Sequence, residues 1–211
     1  HYMYPDEIDD ELIDTIASEP KIVKYLDIPI QHINNEILKR MNRRGDGAYI
    51  EEMLHKLRAR IPGAVIRTSL ITGLPGEGEE EFTQLCDFLK RVKMERVGAF
   101  PFSPEDGTRA AKMEYPDSEI AQSRAEVVAE IQSRIMDEYN AGRIGRTMEV
   151  LVDEYDPDTD RYIGRTYADS PEIDGRVLFT ADRPVKVGTF EQVYIDGVSD
   201  GDLTGTLEEA Q

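Results

Sequence analysis

The 211 residues allow one large domain or two ordinary ones, and a hydrophobic content of 39% is enough for a real core. A net charge of -18 argues against a long phosphate-tracking surface and for a neutral or basic partner. No run approaches the ~18 to 20 apolar residues of a membrane span, and "HYMYPDEIDDELID" is too acidic for a signal peptide, so the cytoplasm is the expected compartment.

In chain order, residues 6 to 18 space Ile8, Leu12, Ile13 and Ile16 like the buried stripe of a short helix opened by Pro5 and Asp6. "IVKYLDIPIQ", residues 22 to 31, alternates and is β-branched, which predicts a strand. "NNEILKRM" predicts a helix capped by Asn34. "AYIEEMLHKLRARI" then places Ile50, Met53, Leu54, Leu57 and Ile61 on one face and ends at Pro62-Gly63. "AVIRTSLITGL" is a second strand, "EEEFTQLCDFLKRV" a third long helix and "ERVGAFPF" a third strand. Strand and helix alternating at this spacing imply a parallel sheet wound by right-handed crossovers, one side of an α/β barrel or open sheet.

From Asp117 to Asn140, Ile120, Val127, Val128, Ile131, Ile135 and Tyr139 outline a long amphipathic helix stopped at "NAGRIG". After Gly142 the texture changes. Short alternating runs ("TMEVLVD", "RYIGRTY", "RVLFT", "FEQVYIDGV", "LTGTLEE") separated by Pro, Gly and Asp turns predict a small all-β barrel, with the boundary near Gly145.

The chemistry-bearing stretch is "TSLITGLPGEGEEEF", residues 68 to 82. Gly73 and Gly76 let backbone approach a ligand at the C-terminal end of a parallel strand. The glutamates that follow satisfy the helix dipole themselves and would repel phosphate, so an adenosyl ligand with an amino group suits the turn better than a nucleoside triphosphate. The alternative is an ordinary strand-to-helix turn. The single cysteine, Cys86, follows Phe82 and Leu85 and precedes Leu89 at helical spacing, which predicts a core thiol. One cysteine cannot ligate an iron–sulfur cluster, and His1, His32 and His55 are too scattered for a metal site. "DPDTD", residues 156 to 160, lacks the glycine and closing glutamate of a calcium loop and is expected to be a hairpin turn. In "KRMNRR", Lys39, Arg40, Arg43 and Arg44 suit a helix C-terminus, or one arginine reaches a ligand carboxylate.

The ordered motifs "YLDIPIQH", "ILKRMNRR", "RTSLITGLPGEGEEEF" and "GAFPFSPEDGT" resemble the second part of the radical S-adenosylmethionine domain of the methylthiotransferases. The β module after Gly145 resembles their TRAM domain. "YLDIPIQH", "VGAFPFSPEDGT" and "GRTYADSPEIDG" are most similar to the branch that modifies an aspartate of a small-subunit ribosomal protein. The resemblance implies a partial radical SAM (TIM-like) α/β barrel with a linker helix over residues 1–144, and a small antiparallel OB-like β-barrel over residues 145–211. It also implies a chain that starts inside the barrel, roughly the C-terminal half of the enzyme, without the cysteines for its two 4Fe–4S clusters and inactive alone. In the intact enzyme one cluster would cleave S-adenosylmethionine to a radical that takes a hydrogen from the aspartate β-carbon, and the other would deliver the methylthio group.

Carried over by position, the resemblance places Gln31, Thr68, Ser69, Gly73, Leu74, Pro75, Gly76, Glu77, Phe102 and Ser103 near S-adenosylmethionine, with Arg43 as the candidate for its carboxylate. Residues 145 to 211 hold sixteen acidic against six basic side chains, a net charge of -10. An RNA reader needs the opposite sign, so the acidic module disfavours nucleic acid and suits a basic ribosomal protein. "YADSPEID" supplies Asp169, Glu172 and Asp174 beside Tyr167 as a docking edge. Two other readings stand beside this one: a tRNA-adenosine methylthiotransferase and a stand-alone binding module without catalysis.

Overall fold

In the computed structural model, which describes residues 2 to 208, the first regular helix begins later than its acidic opening suggests. Pro5–Glu7 form a single 3-10 turn, and α1 (Asp10–Ser18) is capped by Asp9, whose carboxylate accepts the Leu12 N–H at 2.8 Å. Ile13 and Ile16 then bury one face.

Three parallel strands follow, β1 (Tyr25–Asp27), β2 (Val65–Thr72) and β3 (Arg96–Pro101), in the order β1-β2-β3, with Ser69 opposite Gly98. The strand expected over residues 22 to 31 is cut to three residues. Pro29 has no N–H to give, and the Ile30 N–H is taken by the Thr68 hydroxyl at 3.1 Å. Pairing resumes only at Gln31, which bridges Leu70.

The crossovers are α2 (Asn35–Arg40) with α3 (Gly47–Arg60), and α4 (Glu79–Val92). Asn34 caps α2 as expected, accepting the N–H groups of Glu36 and Ile37. In β2, Ile66, Thr68, Leu70 and Thr72 are buried, whereas Arg67, Ser69 and Ile71 are half-buried. Of the buried set, Ile66 and Leu70 join Leu26, Leu54, Leu57, Leu85, Phe88 and Leu89 in one apolar cluster. Each such leucine stabilises the fold by roughly 1.5–3 kcal/mol. Cys86 sits in α4, 7% exposed, a core thiol as its spacing predicts.

The last helix, α5 (Ser118–Ala141), buries a different stripe from the expected one. Ile120 and Val127 are 44% and 40% exposed, while Ala121, Arg124, Ala125, Val128, Gln132 and Ile135 are buried. Small residues and an arginine took positions that hydrophobicity alone would give to isoleucine and valine. The chain divides into two compact units inside this helix, one up to Ile135 and one from Met136.

In the second unit β4 (Thr147–Asp156), β5 (Arg161–Arg165), β6 (Val177–Thr180), β7 (Phe190–Ser199) and β8 (Asp202–Leu207) close into a barrel in the order β4-β5-β6-β8-β7. Four of the five pairings are antiparallel; β6 and β8 pair in parallel, a departure from the purely antiparallel barrel expected. The reason is topological, since β7 crosses over before β8 returns beside β6. Val150, Val152, Val177, Phe179, Val193, Ile195 and Leu203 fill the interior. A Cβ at Gly164 or Gly205 would overlap the carbonyl of Leu151 or Tyr194, so both positions need glycine. "DPDTD" is the β4–β5 hairpin turn, where Asp156 accepts from the Asp158 N–H and the Thr159 hydroxyl. The final expected run extends to Glu209, which lies outside the described residues, as does His1.

Candidate functional site

At the C-terminal end of β2 the chain turns through Gly73 and Gly76, with φ of +75° and +87°, a region that side-chain-bearing residues avoid. Close packing adds a second reason for glycine at Gly73, where a Cβ would overlap that of Ala121 on α5; at Gly76 a Cβ would meet only the movable end of the Arg40 side chain.

Three amides of this turn are already engaged. The Gly73 N–H donates to Glu77 Oε1 at 2.8 Å, the Glu77 N–H to the Leu74 carbonyl at 2.9 Å, and the Gly78 N–H to Glu81 Oε2 at 2.9 Å. The backbone N–H groups of Glu81 and Gly78 hold the Glu81 carboxyl below the usual carboxylate range. A phosphate would find no free donor at these positions and a carboxylate beside it.

Glu77 is the centre of the arrangement. Its side chain is fully buried, and Oε1 also accepts from Arg124 Nη1 of α5 at 2.9 Å. Arg124 additionally donates to the Glu77 carbonyl at 2.9 Å and to Glu79 Oε1 at 2.6 Å. His32 Nε2 lies 3.2 Å from Glu77 Oε2, and its Nδ1 accepts the Asn34 N–H at 3.0 Å. The Thr72 hydroxyl donates to the Ala121 carbonyl at 2.8 Å, so α5 is fastened to the turn at three points.

The residues expected at the cofactor fall into distinct places. Gln31 has φ +67°, is held to β2 through its N–H to Ser69 O and its carbonyl to the Ile71 N–H, and its side-chain amide has no hydrogen-bond partner among the described residues. Ser69 stands on the half-buried face of β2. Thr68 does not. Its hydroxyl donates to Ile28 O at 2.8 Å and accepts the Ile30 N–H, so it shapes the Pro29 segment and has no exposed surface. Leu74 and Pro75 are buried, Gly76 is exposed, and the Glu77 side chain is turned inward and fully buried against Arg124.

Arg43 sits over the Tyr4 ring, 5.3 Å from its centroid, and has no carboxylate partner among the described residues, whereas Arg44 pairs with Asp6. With Tyr4, Pro29 and Ile30, Arg43 lines a cavity of about 290 Å³. The glycine turn borders a separate groove with Arg40, Arg109 and Tyr115. Phe102, joined to β2 through its N–H to Thr72 O, meets Tyr115 edge-on at 5.3 Å, and Ser103 is exposed.

In the second unit Tyr167 and Glu172 are exposed, and Asp174 is half-buried and accepts the Ser170 N–H. Asp169 departs from the docking edge proposed for it. It is 6% exposed, accepts the Thr166 N–H and hydroxyl at 3.1 and 2.5 Å, and lies 3.4 Å from the buried Arg143. A carboxylate so enclosed is not available to a partner.

Sequence reasoning missed His32, Arg124, Ala121 and Tyr4. His32 stood in the quoted motif "YLDIPIQH" but was set aside because no second histidine accompanied it. The signal for Arg124 was available: it lies three and four residues from Ala121 and Val128, on their helix face.

A model of the radical SAM superfamily matches residues 3–89, and one of the TRAM domain matches residues 144–207. The ribosomal protein uS12 methylthiotransferase RimO of Acetivibrio thermocellus is 43% identical over 207 residues, covering 98% of this chain and 46% of that protein. The RimO proteins of Carboxydothermus hydrogenoformans and Anaeromyxobacter sp. are 42% and 43% identical, over 97% of this chain in each case. The chain thus spans about half the length of the curated relatives it matches. Coproporphyrinogen III oxidase (HemN) from Escherichia coli, a radical SAM enzyme, superposes with a TM-score of 0.54 at 15% identity over 79% of this chain and 45% of that chain, a likeness of fold. No helix among the described residues is long and apolar enough to cross a membrane. With radical SAM and TRAM matches in one chain and RimO relatives along nearly its whole length, this protein belongs to the RimO family of radical SAM methylthiotransferases.

Proposed function

We propose that this chain forms the part of a ribosomal-protein methylthiotransferase that shapes the S-adenosylmethionine pocket and receives the protein substrate. The observation that carries the reading is the 43% identity along 98% of the chain to proteins named for methylthiolation of uS12. The residues present suit an adenosyl ligand: among the described residues the Gln31 side-chain amide has no hydrogen-bond partner and the Arg43 guanidinium no carboxylate partner, and three of the turn amides are already engaged. Arg43 would meet the carboxylate of the amino-acid moiety, and Gln31 and Ser69 would face the nucleoside. When bound, S-adenosylmethionine supplies the radical chemistry that opens an aspartate β-carbon to methylthiolation. The one cysteine is buried in α4, so the ligands of both 4Fe–4S clusters belong to other parts of the full-length enzyme.

The barrel, which we delimit at residues 145–211, is the docking module for a basic small-subunit ribosomal protein. Its net charge of -10 favours that partner over RNA by simple complementarity. Tyr167, Glu172 and Asp174 form the contact edge, with Asp169 behind it as an internal brace. Titrating the full-length protein with a purified basic ribosomal protein and with bulk tRNA, at low and near-physiological salt, tests the assignment. Salt-sensitive binding to the protein alone is expected, weakened by Glu172→Lys with Asp174→Lys; a preference for tRNA would overturn it. Arg43→Ala should weaken S-adenosylmethionine binding, and unchanged affinity would remove that role.

A further inference from the structure

We propose that Glu77, Arg124 and His32 act together as positioning residues that set the shape of the cofactor pocket without touching the cofactor. The idea rests on the S-adenosylmethionine reading of the site. Burying a carboxylate is costly unless it is paired and hydrogen-bonded, and the first turn of α4 does not need this one, because Glu81 already satisfies the Gly78 N–H. What Glu77 adds is long-range. Through Oε1 it holds the Gly73 N–H and the Arg124 guanidinium of α5, and through Oε2 it faces His32, the neighbour of Gln31.

One buried carboxylate thereby ties together the loop after β1, the turn after β2 and the last helix. These are the segments that carry Gln31 and the glycine turn. Gln31 sits at positive φ, a region costly for a residue with a side chain, so its geometry depends on the contacts that hold it.

The His32 edge is unfinished. Because Nδ1 accepts the Asn34 N–H, a neutral ring carries its proton on Nε2, which points toward Glu77. Yet Nε2 and Oε2, 3.2 Å apart, lack the alignment of a hydrogen bond, and both are buried with no other partner among the described residues. A small rotation of the His32 loop completes the bond. That movement carries Gln31 with it, so filling the pocket and closing the His32–Glu77 contact favour one another.

The test uses the full-length enzyme with its clusters reconstituted and measures S-adenosylmethionine affinity, thermal stability and binding of the ribosomal protein for each variant. Glu77→Gln and Arg124→Lys keep volume and some hydrogen bonding. They are expected to weaken cofactor binding at least tenfold, with partner binding unchanged and a melting temperature close to the parent. His32→Ala should weaken it similarly and His32→Gln, which retains a donor, should recover most of the loss. The His32 ring signals in 15N NMR should shift when S-adenosylmethionine is added. Wild-type affinity in Glu77→Gln, or losses that merely track melting temperature across the set, would overturn the network. Failure of the unmutated enzyme to bind S-adenosylmethionine would instead overturn the reading beneath it.

Discussion

Both units bury an arginine against a carboxylate, but the two pairs do different work. Arg124 and Glu77 are 47 residues apart and join elements around a glycine turn at the end of a parallel sheet. Arg143 and Asp169 are 26 residues apart and brace one loop beside a closed barrel, where Thr166 and the Tyr139 ring share the contact. Each pair leaves a buried polar atom without a hydrogen-bond partner among the described residues, the His32–Glu77 edge in the first and Arg143 Nε in the second, but only the second encloses its carboxylate in hydrogen bonds from a single turn. The contrast separates a polar network that spans three elements around a glycine turn from one confined to an acidic loop and its neighbouring helix end.

The largest effect should come from breaking the first pair outright. Arg124→Met strands Glu77 as an uncompensated buried charge and should cost about 3–5 kcal/mol, read from denaturant unfolding of the full-length protein. Asp169→Ala should cost less, about 2–3 kcal/mol, because Arg143 keeps the Thr166 hydroxyl and its stacking on Tyr139. If the two losses were equal, the distinction between the pairs would collapse. Gly205→Ala sharpens the comparison from the barrel side. Its new methyl meets the Tyr194 carbonyl, and a loss of roughly 1–3 kcal/mol confined to the barrel is expected by hydrogen exchange.

The smallest effects are electrostatic. Glu81 has its carboxyl lowered by backbone N–H groups in the folded state, so its stabilisation is present above the unfolded value and is lost as pH falls through the folded one. The stability gap between wild type and Glu81→Gln should therefore be present at neutral pH, begin to narrow near pH 4.5, the ordinary glutamate value, and close only as the lowered folded value is passed. Burial pushes the Cys86 thiol up, so at pH 8 it should react with a thiol reagent far more slowly in the native protein than after unfolding.

Much of this architecture was legible in the residues. The α3 and α4 boundaries follow from periodicity and punctuation, since Asp46 and Pro62-Gly63 bracket one and Gly78 opens the other. The barrel strands were readable because each alternates and ends at a turn residue. What escaped were facts of long-range pairing. Nothing near Asp169 says that it faces Arg143, and no local pattern tells that Glu77 alone among its acidic neighbours turns inward to meet His32 and Arg124. The α5 stripe was misplaced because an arginine can occupy a buried helix position when its charge is answered by a partner from another element. The shortened β1 has a local cause, Pro29, which the β-branched run around it concealed.

The strand order of the barrel has a consequence for how the chain acquires its shape. The strand made last, β8, is inserted between β6 and β7 and bonds to both. During synthesis β4, β5, β6 and β7 can emerge and pair as β5-β4-β7 and β5-β6, but the ring stays open until residues 202–207 leave the ribosome. Closure is then a late, non-local event, and a nascent chain halted before Asp202 would present the sides of β6 and β7 to any strand that reached them first.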